Sequence, residues 1–224
     1  MSLYIHLEAH HNMKAPRIML PFILAILKPH SILDAGCGLA TWIAAAKELG
    51  IEDVLGIDGD HVDRAQLHVP ENEFNAIDLR HPFSLKRKFD LVISLEVAEH
   101  LPEQSADGFT DSLCAHGDVV LFSAANPAQD QGQGHINCQW PKYWEDKFRK
   151  RGFLPYDIIR EIFWEYDEIE WWYKQNMIIY ARPGILSLPS KSPLRTIHPD
   201  LLMHKMRKLH DLQKQLTALR EASA

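Results

Sequence analysis

The sequence lacks a close pair of cysteines, a long apolar run and any excess of basic residues. Cys37, Cys114 and Cys138 stand far apart, and they are predicted to be free thiols of a reducing compartment. The most apolar early stretch, residues 18–27, contains Pro21 and is too short to span a bilayer. No signal peptide is apparent, so we expect a soluble cytoplasmic protein with no membrane insertion.

The charge balance is modestly acidic. The 24 lysines and arginines are outnumbered by 30 aspartates and glutamates, which gives a net charge of −6 when histidine is neutral. A nucleic-acid partner is not expected, because neutralising phosphates needs clustered basic residues. The 224 residues suffice for one α/β domain with an appendage.

What the sequence does have is a glycine-rich turn between an apolar run and a helical segment. The apolar pair at 32–33 leads into residues 34–38, Asp-Ala-Gly-Cys-Gly. Residues 42–49 consist mainly of good helix formers, and Gly50 follows them. This pattern predicts a buried strand, a tight turn and a helix, the first unit of a doubly wound α/β sheet. The glycines allow the backbone to approach a ligand and present N–H groups at the helix start.

The turn departs from the dinucleotide-binding fingerprint. That fingerprint, G-x-G-x-x-G/A, needs a third small residue for close packing of helix and strand, and Thr41 stands in its place. Asp34, two residues before the first glycine, suits a cationic ligand better than a diphosphate. S-adenosylmethionine carries a sulfonium and an ammonium group and has no phosphate. A nicotinamide-dependent dehydrogenase is the alternative interpretation of this turn.

Two more acids follow predicted strands. Residues 54–58 form a second apolar run that ends at Asp58, at the chain distance where a carboxylate meets ribose hydroxyls. Residues 74–79 predict a third strand with Asp78 near its end. Because the carboxyl ends of parallel strands share one edge, we expect these acids and Asp34 to line one ligand site. Helix capping is the alternative role for Asp58.

The remaining pattern continues the alternation of strands and helices. Residues 89–94 are the most strongly apolar run and are typical of a central strand. Residues 126–134 are polar and rich in Gln and Gly, which predicts a loop over the site. The other predicted elements are a helix over 102–115, a strand over 118–123, a helix over 140–151 and two final strands over 153–163 and 176–181.

The N-terminal segment, residues 1–30, is predicted to cap the domain. It begins with a strand-like run at 3–5, and His10 and His11 follow it. A helix is predicted over residues 16–27, because proline is tolerated in a first helical turn.

Residues 31–183 are predicted to form the ligand-binding domain, and residues 184–224 a linker with a C-terminal helix. Leucines in that helix follow a coiled-coil-like spacing, which fits either packing on its own domain or a homodimer. They are Leu202, Leu209, Leu212, Leu216 and Leu219.

Three potential metal ligands follow the central strand. Glu96, Glu99 and His100 stand at i, i+3 and i+4, so one helical turn would place them on one face. Carboxylates plus imidazole suit a divalent ion such as Mg²⁺ or Mn²⁺. His135 follows the polar loop at the same sheet edge and is the candidate second imidazole. Glu99, His100 and His135 are the predicted catalytic residues, with His135 as a base or metal ligand.

Residues 32–38 resemble the first motif of class I S-adenosylmethionine-dependent methyltransferases, two hydrophobic residues followed by Asp-x-Gly-x-Gly. The resemblance covers about residues 32–182. It implies a Rossmann-like sheet of seven mostly parallel strands with an antiparallel final hairpin, and S-adenosylmethionine as the cofactor. The residues implied to bind it are Asp34, Gly36, Cys37, Gly38, Asp58, Gly59, Asp78, Leu79, Leu95 and Glu96.

The Glu-x-x-Glu-His segment with the later His135 resembles metal-dependent O-methyltransferases, notably the small-RNA terminal 2′-O-methyltransferases. The segment by itself also resembles the ubiquinone-pathway O-methyltransferases. Residues 134–137 and 171–176 are similar to small bacterial methyltransferases of polysaccharide and glycan assembly. Together these imply metal-assisted O-methylation of a sugar, glycan or other small acceptor. The alternatives are metal-free methylation of a quinone or phenolic molecule, and a non-catalytic cofactor-binding module.

Overall fold

The computed structural model describes residues 12–129 and 132–222, so the predicted strand at 3–5 and His10 and His11 lie outside the described residues. Seven strands form one sheet in the order β3-β2-β1-β4-β5-β7-β6. β7 is antiparallel to both of its neighbours, and the other pairs are parallel. The predicted sheet with its antiparallel final pair is therefore confirmed. The strands are β1 (Ser31–Ala35), β2 (Asp53–Asp58), β3 (Phe74–Ala76), β4 (Leu91–Leu95), β5 (Val119–Ser123), β6 (Leu154–Tyr156) and β7 (Ile178–Ala181).

Helices connect the strands and cover both faces of the sheet. The first helix runs without interruption through Pro21. The second follows the glycine turn and ends before Gly50, whose φ of 92° suits a residue without a side chain. The helices are α1 (Lys14–Leu27), α2 (Thr41–Glu48), α3 (Ala106–His116), α4 (Pro141–Lys150), α5 (Ile159–Phe163), α6 (Trp171–Asn176) and α7 (Pro199–Ala222).

The core has two layers, one on each face of the sheet. On one face α1 contributes Met19 and Ile23, which are fully buried with α2. On the other face Phe109 and Leu113 of α3 pack with Phe148 of α4. Strands β1 and β4 lie between these layers, which explains their nearly continuous apolar sequences. The ends of these two strands are consequently rigid supports for the site.

The last two strands are shorter than predicted. The predicted strand over 153–163 is wrong beyond β6, because the chain turns into α5. The reason is a buried ion pair between Asp157 and Arg160, three residues apart, which stabilises a helical turn. The final pair is consequently joined by α5 and α6 rather than by a tight turn.

The third strand is also shorter, and this changes the position of Asp78. β3 ends at Ala76, so Asp78 lies two residues past it. The Asp78 carboxylate accepts a hydrogen bond from the backbone N–H of Arg80 at 3.0 Å. This contact favours a turn over extended backbone.

The beginning of the C-terminal helix α7 packs on the described part of the domain. Leu201 is 2% exposed, and the buried Lys174 lies 3.5 Å from the Asp200 carboxylate. From residue 202 onward the leucine face is open, with each leucine 50–66% exposed. The expectation that these leucines pack on their own domain is therefore wrong. Within the described ranges, no helix is long and apolar enough to cross a membrane.

Candidate active site

A cavity of about 690 Å³ opens at the carboxyl ends of β1, β2 and β4. Doubly wound sheets bind ligands at this edge. Its lining includes all ten residues that the sequence predicted to bind a cofactor, together with His100, a predicted catalytic residue. Those ten are Asp34, Gly36, Cys37, Gly38, Asp58, Gly59, Asp78, Leu79, Leu95 and Glu96.

The glycine turn after β1 packs against the segment that follows β4. Gly36 has a φ of 90° and Gly38 a φ of 52°, a backbone region that favours glycine. A Cβ atom on Gly36 would lie 2.2 Å from Cγ2 of Val97. The turn therefore requires glycine for its conformation and for the close approach of Val97.

Asp34 is a buried acid at the end of β1. Its side-chain atom Oδ2 has no hydrogen-bond partner among the described residues, and the residue is only 2% exposed. Burial, followed by the nearby Asp58 charge, raises the pKa of Asp34 to about 8. An unpaired carboxyl oxygen in this position suits a cationic ligand, because a positive charge would stabilise the ionised form.

Asp58 joins the two loops that form the floor of the cavity. Its Oδ2 accepts a hydrogen bond from the Gly38 N–H at 2.8 Å, and its Oδ1 accepts one from the Gly59 N–H at 2.6 Å. Each carboxylate oxygen has a second lone pair, so this clamp still allows further donors. The predicted contact with ribose hydroxyls is thus compatible with a structural role that the sequence did not indicate.

Asp78 lies at the cavity rim and is held by Arg80. The Arg80 guanidinium donates from Nη2 to Oδ2 of Asp78 at 2.6 Å and from Nε to Oδ1 at 2.8 Å. This hydrogen bonding lowers the pKa of Asp78 to about 2. Asp78 therefore stays ionised at neutral pH. Arg80, which the sequence analysis missed, also lines the cavity.

Two glutamates follow β4, the partly buried Glu96 and the fully buried Glu99. Glu96 has a φ of 55°, and its carboxylate accepts hydrogen bonds from Nδ2 of Asn176 at 3.1 and 3.3 Å. Burial raises the pKa of Glu96 to about 7, although hydrogen bonds from Ser123 and Asn176 oppose the shift.

Glu99 is fully buried, and neither of its carboxyl oxygens has a well-formed hydrogen bond to a described residue. Burial and then the neighbouring Glu96 charge raise its pKa well above the ordinary value. A buried carboxyl group in this condition needs either a proton or a cation beside it.

Two histidines lie next to Glu99. One ligand atom from each of Glu99, His100 and His135 lies within 4.8 Å of the others, and the two imidazole rings meet edge to face at 4.9 Å. The backbone N–H groups of Ile136 and Asn137 donate to the Glu99 carbonyl at 2.9 and 3.0 Å. The loop after β5 is therefore held against the segment after β4, as the sequence predicted for His135.

The predicted helical turn over this segment is a 3₁₀ turn, Ala98–His100. Glu96 lies before the turn, so the expectation of one helical face shared by Glu96, Glu99 and His100 is wrong. The positive φ of Glu96, and not a shared helical face, brings its carboxyl group close to that of Glu99.

A network of buried amides supports the site, and the sequence analysis missed it. The Gln129 side-chain oxygen accepts hydrogen bonds from Gln175 and Asn176, each at 2.9 Å, and from the Asn126 N–H at 3.0 Å. The Gln175 oxygen accepts from the His198 N–H at 2.7 Å. The network thus connects the loop before His135, α6 and the start of α7. Only the Gln-rich character of residues 126–134 pointed to it.

Gln129 also orients His135. Nδ1 of His135 lies 2.7 Å from the Gln129 carbonyl oxygen, and a carbonyl can only accept, so Nδ1 carries the proton. The other ring nitrogen, Nε2, therefore has a lone pair that can bind a cation or accept a proton.

The doubly wound sheet, the glycine turn and the unpaired buried acid at the end of β1 define the class of S-adenosylmethionine-dependent methyltransferases. The sequence profile of the methyltransferase domain family matches residues 9–175, and the chain belongs to this family. The class predicted from the sequence is confirmed.

Among curated proteins, the ribosomal protein L11 methyltransferase of Lactobacillus johnsonii is 34% identical over 117 residues. The match covers 50% of this chain and 36% of the relative. The chain therefore spans about a third of the length of the curated relatives it matches.

Two solved structures share the fold. The sugar N-methyltransferase KedS8 from Streptoalloteichus sp ATCC 53650 matches with a TM-score of 0.60 and 13% identity, over 81% of this chain and 96% of that chain. Magnesium protoporphyrin IX methyltransferase (ChlM) from Synechocystis PCC 6803 with bound SAH matches with a TM-score of 0.58 and 16% identity, over 77% and 83% of the two chains. At these identities the likeness concerns the fold alone.

Proposed function

We propose that the protein is an O-methyltransferase that transfers the methyl group of S-adenosylmethionine to a hydroxyl of a sugar, glycan or other small acceptor, assisted by a divalent metal. The observation that carries the proposal is the group of Glu99, His100 and His135 beside the donor cavity. Oxygen acceptors are poor nucleophiles until deprotonated, so this chemistry needs a base or a metal near the donor.

The donor fits the residues of the cavity. Asp34 supplies the negative charge that a cationic donor needs, and the turn of Gly36 and Gly38 leaves room for close backbone approach. We assign to Asp58 the ribose hydroxyls and to Asp78 the adenine amino group, and both residues line the cavity. Cys37, Gly59, Leu79 and Leu95 complete the walls.

The glutamates and histidines of this group fit a divalent ion. The two unsatisfied oxygens of Glu99 are hard donors, and His100 and His135 add imidazole nitrogens, a set suited to Mg²⁺ or Mn²⁺. Glu96 would complete the set from the β4 side. When bound, such an ion lowers the pKa of an acceptor hydroxyl.

The chain's own residues position the reactants and manage the proton. As the methyl carbon bonds to the acceptor oxygen, its bond to sulfur breaks and that electron pair stays on sulfur, which becomes neutral. The hydroxyl proton must leave, and Nε2 of His135, which the Gln129 carbonyl orients, accepts it as the alternative to binding the ion.

The acceptor side of the cavity is mixed in character. Ile136 is 65% exposed at the rim, and Tyr173 lies on the wall with the backbone of Gly134. An aromatic wall beside polar groups suits a sugar ring, and the related fold of the sugar N-methyltransferase KedS8 is compatible with this choice. A phenol ring would also fit an aromatic wall, so the substrate test includes both.

The test is methyl transfer to a panel of sugars, nucleotide sugars and phenols, with and without EDTA. We expect activity on a carbohydrate hydroxyl that EDTA removes and Mg²⁺ or Mn²⁺ restores. Activity that survives EDTA on a phenol would contradict metal assistance and favour the metal-free alternative. Calorimetric binding of S-adenosylhomocysteine without turnover on any acceptor would favour a non-catalytic module.

A further inference from the structure

The exposed face of α7 carries a regular stripe of leucines. Leu202, Leu209 and Leu216 are spaced by seven residues, and Leu212 and Leu219 each follow three residues after a member of that series. These are the a and d positions of a heptad repeat. All five are 50–66% exposed, although a helix that stands alone in water gains little stability from its own hydrogen bonds. An exposed stripe with this spacing is typical of a coiled-coil seam.

We propose that the partner is a second copy of this chain, whose α7 packs against the first in antiparallel orientation. The argument begins with Lys205, which occupies the remaining d position of the described helix. In a parallel pair, Lys205 would face its own copy inside the apolar seam, and like charges would repel. In an antiparallel pair it faces Leu216 of the other chain, and its long side chain can reach solvent.

In the antiparallel pairing, all layers of the seam except those that contain Lys205 are leucine pairs. With Leu209 of one chain opposite Leu212 of the other, Leu202 falls opposite Leu219. The same alignment is obtained when the two chains are exchanged, as a two-fold symmetric interface requires. The two helix dipoles also oppose each other favourably in this orientation.

The flanking residues and the size of the face agree with this partner. In the antiparallel alignment Lys208 lies beside Gln215 of the other chain, and Met206 lies beside Gln213, so no like charges face each other. Five half-exposed leucines offer roughly 500 Å² on each helix, so with the flanks a pair buries on the order of 1,200 Å², the lower end of stable interfaces. This proposal is independent of the reaction proposed above.

The first experiment measures the mass of the full chain in solution by light scattering and analytical ultracentrifugation at micromolar concentrations. We expect twice the chain mass of 25.8 kDa for the wild type, and a monomer for the variant Leu209→Glu with Leu212→Glu. The matched control is His210→Glu with Thr217→Glu, which adds charge to exposed positions outside the seam. Circular dichroism verifies that each variant is folded. A monomeric wild type, or a dimer unaffected by the leucine variant, would overturn the proposal.

The second experiment tests the orientation with single cysteines. In the antiparallel pair Leu202→Cys and Leu219→Cys form an intermolecular disulfide only when the two variants are mixed. Disulfide dimers from either variant alone would show a parallel pair and overturn the orientation, and so would the lack of any crosslink in the mixture. The wild type under the same oxidation controls for Cys37, Cys114 and Cys138.

Discussion

The donor side and the reactive side of the cavity are built in different ways. The donor side is centred on one local segment, since Asp34, Gly36 and Gly38 belong to one turn between β1 and α2. The reactive side is assembled from the segment after β4, the loop after β5 and the end of α6, joined by backbone and amide hydrogen bonds. A segment that is continuous in sequence therefore forms the centre of the donor site, whereas contacts between distant segments form the reactive side. The following predictions test this division.

The largest expected effect separates chemistry from binding. Glu99→Ala and His135→Ala should each lower kcat by about 100-fold or more, because the buried acid and the base act only in the reaction. The affinity for S-adenosylhomocysteine, measured by calorimetry, should change little. Glu99→Gln is the matched control, because it keeps the shape and removes the charge. Equal losses of S-adenosylhomocysteine affinity and of kcat would contradict the division into a donor side and a reactive side.

The next effect concerns the donor side alone. Gly36→Ala should weaken donor binding and lower the free energy of unfolding by roughly 1–3 kcal/mol, because it combines a positive φ with a collision against Val97. Adding Val97→Ala should restore part of the loss by removing the collision and leaving the strain. Calorimetry and thermal unfolding measure both quantities. No recovery in the double variant would contradict the steric explanation.

A smaller effect is expected at Gln129. Gln129→Ala removes the acceptor for Gln175 and Asn176, so the loop before His135 loses its support. We expect kcat to fall ~10-fold with donor affinity retained, as for residues that orient a reactive group. Gln129→Glu keeps the accepting oxygen and should retain more activity than alanine. A larger loss in the glutamate variant would argue against this role.

The smallest effect is a pH dependence of stability. The Asp34 pKa is about 8 in the folded protein and 3.8 ordinarily, so between these values the folded chain retains a proton that the unfolded chain releases. Stability of the ligand-free protein should therefore fall as the pH rises through this window. Thermal midpoints from pH 5 to about 9 should decrease less for Asp34→Asn than for the wild type. Identical midpoint profiles for Asp34→Asn and the wild type would show that Asp34 is not the group that causes the pH dependence.

The same division explains what could be predicted from the sequence. The alternating apolar runs and the glycine turn encode β1, α2 and β4 locally, and the ten cofactor residues do line one cavity. The end of β3 and the turn into α5 depend on side-chain contacts of Asp78 and Asp157, which no apolar pattern reveals. The prediction of an antiparallel pair at the sheet edge came from the family resemblance.

The reactive side was predicted only in part. His135 was expected beside Glu99 and His100, because both loops leave the same sheet edge. Gln129 and Asn176 are bonded to each other although they lie 47 residues apart in the chain, and an amide in a loop or a helix carries no local signal of such a contact. The route by which Glu96 approaches Glu99 depends on a positive φ that the sequence does not indicate.

Gln175 has a mechanical consequence for the whole chain. Its oxygen holds the backbone of His198, where the tail enters α7, and its nitrogen holds Gln129, whose carbonyl orients the reactive imidazole. The buried side chain of Gln175 thus links the start of α7 to the loop that holds His135. Because only a few hydrogen bonds separate α7 from His135, binding of another molecule to α7 that displaced it would also displace the His135 imidazole.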